Sequence, residues 1–137
     1  SLSMIKIHKQ YKSSVMASMK VKKNSVTRWG IYKLNIKLSK NNYLIDDVIE
    51  KPSIKKAPSN QAVIGRYILP KKIFKKLLKQ KPGKSGEIHI TDAIQSLIKD
   101  NEKFIAHNFS GKYLDCGTMN GYIKASIEIA NKWNCVW

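Results

Sequence analysis

Glu50, Lys51 and Pro52 stand side by side at the end of an alternating apolar stretch, so a carboxylate and a cation are offered together where the chain must turn. Sugar hydroxyls are held by carboxylate acceptors and phosphates by cations, which gives the triplet the chemistry of a sugar phosphate site. A surface ion pair ahead of a loop is the commoner alternative for three such residues. Asp115, within Tyr113-Leu114-Asp115-Cys116-Gly117, follows an expected short strand and precedes a helix. A carboxylate there offers a hard oxygen to Mg2+ or caps the helix, and spacing alone favours the cap. Gly83 and Gly86 fit either a loop that closes over a ligand or a plain turn. His8, His89 and His107 are isolated and give no metal-ligand spacing. Cys116 has no His/Asn partner pattern and reads as a small core residue, and no Walker-type or dinucleotide-type glycine loop occurs.

Several elements must position these groups. Met4, Ile5, His8 and Tyr11 have helical spacing, residues 14–21 read as a strand, and a Lys-Lys-Asn turn follows. Alternation over residues 28–38 and again over 43–50, with a turn at 40–42, predicts a hairpin. Residues 51–60 form a loop, and the β-branched run at 61–69 is short enough for a buried strand. Pro70 opens a helix on which Ile73, Phe74, Leu77 and Leu78 make a core stripe, with lysines on a solvated face. Ile88, His89 and Ile90 lead into a helix starting at Thr91 or Asp92, followed by a strand at 104–109 and a last helix at 119–133. Tyr122, Ile123, Ile127 and Ala130 are expected on the inner face of that helix. Interleaved strands and helices predict an α/β fold, a sheet covered by helices.

A length of 137 residues with 42% hydrophobic content fits one domain with a core of its own. The formal charge of +17 raises nucleic acid or an anionic membrane as a partner. Only Arg28 and Arg66 are arginines, however, and reading of phosphates and guanines favours the arginine fork. A general bias toward Lys, Asn and Ile accounts for the charge equally well. Cys116 and Cys135 are too few for a disulfide framework, and no run approaches the ~18 apolar residues of a membrane span. The expectation is a cytoplasmic protein without a membrane partner.

Taken in order, Trp29-Gly30-Ile31, Val48-Ile49-Glu50-Lys51-Pro52, Ala57-Pro58-Ser59-Asn60-Gln61-Ala62-Val63-Ile64-Gly65-Arg66-Tyr67-Ile68-Leu69, Lys81-Pro82-Gly83, Gly86-Glu87-Ile88-His89-Ile90-Thr91-Asp92-Ala93 and Gly111-Lys112-Tyr113-Leu114-Asp115-Cys116-Gly117 closely resemble the C-terminal half of bacterial UTP:glucose-1-phosphate uridylyltransferases, the UDP-glucose pyrophosphorylases. The resemblance runs from about Met4 to Trp133. It implies part of a Rossmann-like nucleotidyltransferase fold, a mixed sheet flanked by helices. It also implies a reaction in which glucose 1-phosphate attacks the α-phosphorus of UTP, releasing pyrophosphate and forming UDP-glucose. By resemblance Glu50 binds the sugar, Lys51 is the catalytic sugar-phosphate cation, Asp115 is a catalytic Mg2+ ligand, and Gly30 and Gly65 bring backbone against the sugar. Trp29 stands where Tyr is usual and His89 where Gln is usual.

The family's N-terminal half carries the triphosphate loop, the uracil-reading residues and the first Mg2+ aspartate, none of which matches this chain. The expectation is therefore a truncated form, residues 1–137 being the C-terminal sugar-phosphate-binding portion, inactive alone and meeting UTP only through the absent half. The family also implies a homo-oligomer, and a half-sheet implies an unpaired edge. The rival reading is a nonenzymatic, Lys-rich nucleic-acid-binding module on a degenerate nucleotidyltransferase scaffold. A thymidylyl- or cytidylyltransferase fits the Ala57-Pro58-Ser59-Asn60 and Asp115-Cys116-Gly117 runs less well.

Overall fold

In the computed structural model, which describes residues 2–82 and 86–133, nine elements follow in the order α1 (Leu2–Tyr11), β1 (Ser14–Lys20), β2 (Gly30–Ser39), β3 (Asn42–Glu50), β4 (Gln61–Ile68), α2 (Ile73–Lys79), α3 (Ile90–Lys99), β5 (Phe104–Asn108) and α4 (Met119–Lys132). The expected turn after β1 is instead a short 3-10 helix, Lys23–Arg28. β2 and β3 form the expected antiparallel hairpin. β1 pairs antiparallel with β4 and parallel with β5, which makes the sheet mixed. The order β1-β4-β2-β3-β5 closes on itself, so each described strand has two neighbours and the expected unpaired edge is not present among them.

Strand alternation sorts the core into two layers. Met16, Val63, Phe104 and Ala106 point to one side, where α2 and α3 cover them with Ile73, Ala93, Ile94 and Leu97. Val15, Ala17, Ile64 and Ile105 point to the other, under Met4 and Ile7 of α1. Strands buried on both faces read as continuous apolar runs, which is why β4 and β5 lack a polar face over their buried lengths. α3 carries Ile90, Ala93, Ile94, Leu97 and Ile98 at helical spacing and ends at Lys99, shortly before Asn101, whose φ of 65° is the left-handed value common just past a helix end.

Two expected stripes are not core. Of the α2 stripe, Ile73 is buried and Leu77 partly so, whereas Phe74 and Leu78 are exposed, because a helix of seven residues turns a single narrow face to α3. In α4 only Ala125 is buried, and Tyr122, Ile123 and Ile127 are exposed. Helical spacing shows that a face is apolar but not what covers it, and no described element packs closely over α4. The short strand expected ahead of Asp115 is irregular instead, and α3 begins at Ile90, one residue before the expected start. Cys116 is exposed rather than in the core, and Gly83 and Cys135 lie outside the described residues.

Tyr32 is fully buried beneath α3 and donates its hydroxyl to the Ala17 carbonyl at 3.0 Å. Burial raises its pKa well above the ordinary 10.0, with Tyr67 adding to the effect. Above about pH 10 the unfolded chain gives up this proton while the folded one keeps it, so the folded state binds more protons and stability falls with rising pH. Urea midpoints measured from pH 9 to pH 11.5 are expected to decline, with Tyr32 contributing a slope of up to about 1.4 kcal/mol per pH unit. Tyr32→Phe is expected to be less stable at neutral pH yet show a flatter alkaline decline; an unchanged slope would contradict the assignment.

Candidate functional site

The hairpin puts the start of β2 against the end of β3, with Gly30 and Glu50 as register partners. A Cβ on Gly30 would stand 3.0 Å from Glu50 Oε2 and 3.1 Å from Val63 Cγ2, so the glycine is what lets the carboxylate lie flat on the sheet. Thr91, buried in the first turn of α3, donates its hydroxyl to Glu50 Oε2 at 3.1 Å. A carboxylate has about four acceptor sites, and Thr91 takes one, orienting the group. Glu50, Gly30, Thr91, Tyr67 and Arg28 line a cavity of about 240 Å3. That is below the ~300–1,000 Å3 of drug-sized sites and suits a small polar ligand. Burial, and then the charge of Glu50, raises the Tyr67 pKa, so its phenol stays protonated further into the alkaline range than a free one.

Lys51 follows directly. Its φ of 45° is left-handed, uncommon for a residue with a Cβ, and its amide donates to the Trp29 carbonyl at 3.0 Å. The strained turn leaves the Lys51 side chain exposed beside Glu50, outside the lining of the cavity.

Asp115 does not cap α4. Thr118 does, its hydroxyl accepting from the Gly121 amide at 3.1 Å. Asp115 Oδ1 instead accepts from the Gly117 amide at 3.0 Å, and Oδ2 lies 3.9 Å from Arg28 Nη2. Through Arg28, which lines the Glu50 cavity, the carboxylate stands at the margin of that cavity while itself lining a separate one. A Cβ on Gly121 would fall 2.0 Å from the Asp115 carbonyl oxygen, so the start of α4 and the Asp115 backbone are in direct contact. Among the described residues no group of three or more His, Cys, Asp or Glu side chains gathers to hold a metal. Mg2+ is commonly held by one or two carboxylates with phosphate oxygens and water completing its shell, so Asp115 fits as a single ligand shared with a phosphate.

Gly65 is elsewhere. It is exposed and lines a larger cavity of about 480 Å3 with Ile64, Arg66 and His107, and a Cβ there would meet nothing within 4 Å. The fold thus brings Gly30 and Glu50 together, sets Lys51 and Asp115 at their margin, and leaves Gly65 apart. Thr91, Tyr67 and Arg28 are the site residues that spacing does not single out. Tyr67 shares the inward face of β4 with Val63 by alternation, which is the signal that points to it.

Gly30→Ala is expected to displace the Glu50 carboxylate, since neither Val63 nor the strand backbone can retreat freely. Overpacking of this kind costs about 1–3 kcal/mol. Thermal melting should fall, and any ligand held by Glu50 should bind more weakly; unchanged binding would show that the carboxylate position does not matter.

Comparison with known proteins is consistent over most of the chain. The family described as nucleotidyl transferase matches residues 2–132. A UTP–glucose-1-phosphate uridylyltransferase from Pseudomonas aeruginosa is 39% identical over 123 residues, covering 90% of this chain and 43% of the relative. A putative enzyme of the same name from Methanocaldococcus jannaschii is 39% identical over 126 residues, covering 92% and 44%. A crystal structure of a UDP-glucose pyrophosphorylase complexed with UDP-glucose superposes with a TM-score of 0.87 at 42% identity, covering 95% of this chain and 49% of that one. The chain spans less than half the length of these relatives.

Proposed function

Because the chain belongs to the nucleotidyl transferase family, we propose that it is the sugar-phosphate-binding portion of a UTP:glucose-1-phosphate uridylyltransferase, the enzyme that makes UDP-glucose and pyrophosphate from UTP and glucose 1-phosphate. The observation that carries this reading is the cavity in which Gly30 admits the Glu50 carboxylate and Thr91 orients it. Glu50 accepts hydrogen bonds from sugar hydroxyls there, and Tyr67 offers a donor on the same wall. Lys51, held at the mouth by its left-handed turn, meets the sugar phosphate. A role for Gly65 in holding the sugar rests on the family resemblance, since it lines a separate cavity.

Phosphoryl transfer of this class needs no protein nucleophile; it needs reactants aligned and the charge on the phosphate oxygens balanced. Mg2+ bound at Asp115 would supply part of that balance. The chain's own groups do the rest on this side of the site, Glu50 fixing the sugar and Lys51 drawing its phosphate toward the margin where Arg28 and Asp115 stand. No helix among the described residues is long and apolar enough to cross a membrane.

Nucleic-acid binding is less well supported. Lys72 and Lys76 pair with Glu102 and Asp100, and Lys112 pairs with Glu128, so part of the basic surface is already committed within the chain. Calorimetric titration with glucose 1-phosphate, against inorganic phosphate and duplex DNA, tests the choice. Saturable binding of the sugar phosphate, tighter than phosphate alone, is expected. DNA binding with a steep salt dependence and no response to the sugar phosphate would contradict the proposal.

A further inference from the structure

Glu50, Lys51 and Asp115 each meet one tripeptide, Arg28-Trp29-Gly30, at the junction of the 3-10 helix and β2. Gly30 seats Glu50, and the Trp29 carbonyl takes the Lys51 amide. Two further contacts of the tripeptide reach the Asp115 segment. The Trp29 ring meets the Tyr113 ring edge-to-face, with centroids 5.4 Å apart and planes at 79°, and the Arg28 guanidinium faces Asp115. Residues 113–117 have no helix or strand of their own to hold them. Trp29 is half-buried and packed against the core clusters that contain Ile64 and Val26, so it is an anchored partner, whereas Tyr113 is 41% exposed.

We infer that Trp29 and Tyr113 form a latch, aided by Arg28, that positions Asp115 beside the Glu50 cavity, so that the sugar site and the metal-ligand segment are set by one rigid tripeptide. The inference rests on the proposed function for the role of Asp115, but the latch itself does not. An edge-to-face pair at this distance is a favourable aromatic geometry. The ion pair is exposed and long, hence screened, so the aromatic contact carries the latch and the guanidinium sets the direction in which Asp115 faces. Trp29, Tyr113 and Arg28 are positioning residues, acting through Asp115.

Two measurements on the 137-residue chain separate the latch from the function. Amide hydrogen exchange at Gly117, whose N–H donates to Asp115 Oδ1 at 3.0 Å, should quicken by about tenfold in Tyr113→Leu and return to the wild-type rate in Tyr113→Phe, which keeps the ring. Tyr113 is exposed, so this variant is expected to keep the fold; Trp29→Leu, which also removes core contacts, is the companion from the other side, and Arg28→Ala should have a smaller effect. Exchange unchanged in both Tyr113→Leu and Trp29→Leu overturns the latch. Glucose 1-phosphate titration with and without MgCl2 then reads its purpose. Tyr113→Leu should leave the Mg2+-free affinity within about twofold of wild type while losing most of the Mg2+-dependent gain, a split that general destabilisation would not produce. A full Mg2+ gain in that variant overturns the positioning role. Absence of sugar phosphate binding or of any Mg2+ gain in the wild-type chain counts against the proposed function instead, and the exchange result still decides the latch.

Discussion

Glu50→Ala is expected to weaken glucose 1-phosphate binding by about 30- to 1,000-fold, the largest loss of affinity that any single substitution in this chain should produce. Hydrogen bonds to an ionised group contribute about 1.5–3 kcal/mol each, and a carboxylate serving one or two sugar hydroxyls therefore accounts for roughly 2–4 kcal/mol, at about 1.4 kcal/mol per factor of ten. Glu50 lies at the last position of β3 and is only half-buried, so its removal opens no cavity in the core, although Thr91 loses its acceptor. Calorimetry gives the affinity, and thermal melting separates a lost ligand contact from a damaged fold. Glu50→Gln, which keeps the shape and gives up the charge, should fall between wild type and alanine. An independent signature accompanies both variants. The Glu50 charge is one of the causes that raise the Tyr67 pKa, so ultraviolet titration should show Tyr67 ionising at lower pH in either variant than in wild type. Unchanged affinity in Glu50→Ala would remove the sugar assignment.

The second large effect concerns turnover. Pyrophosphate release from UTP and glucose 1-phosphate with MgCl2 is expected to be undetectable for the 137 residues alone. Alignment of two bound reactants accounts for about 7–11 kcal/mol of such a barrier, and it is lost when only one reactant is held. In the proposed reading this chain supplies Lys51, Arg28 and Asp115 around the sugar phosphate, but its sequence has no glycine-rich triphosphate loop, and the relatives it matches are more than twice as long. A coupled pyrophosphate assay with a full-length relative as the positive control makes the comparison. Turnover within about a hundredfold of that control would show that these residues complete the site without further chain, contrary to the transition-state requirements of the reaction.

Much of the fold is legible because each signal involved is local. The alternation of Val15 and Ala17 against Met16, or of Ile105 against Phe104 and Ala106, records two covered faces of one sheet, and the turn at residues 40–42 ties β2 to β3 directly. What failed was long-range. The apolar spacing on α4 is real, yet only Ala125 is buried, because spacing carries no information about a covering partner. Phe74 and Leu78 on α2 failed for the same reason. At the site, Glu50 and Lys51 were visible as adjacent opposite charges at a strand end, and the family resemblance supplied their roles. Thr91 was legible only as a helix start, since its bond to Glu50 crosses 41 positions of sequence. Asp115 looked like a cap because an acidic residue ahead of a helix usually is one; Thr118, three residues on, takes that place and leaves the carboxylate to Gly117 and Arg28.

The most direct measurement is amide chemical-shift mapping of the 15N-labelled chain during titration with glucose 1-phosphate. If Glu50 and its neighbours are a sugar phosphate site, the shifts should concentrate at Gly30, Glu50, Lys51 and Thr91, saturate with a single affinity, and vanish in Glu50→Ala. Shifts confined to exposed lysines of α2 and α4, reproduced by inorganic phosphate and indifferent to Glu50, would contradict it.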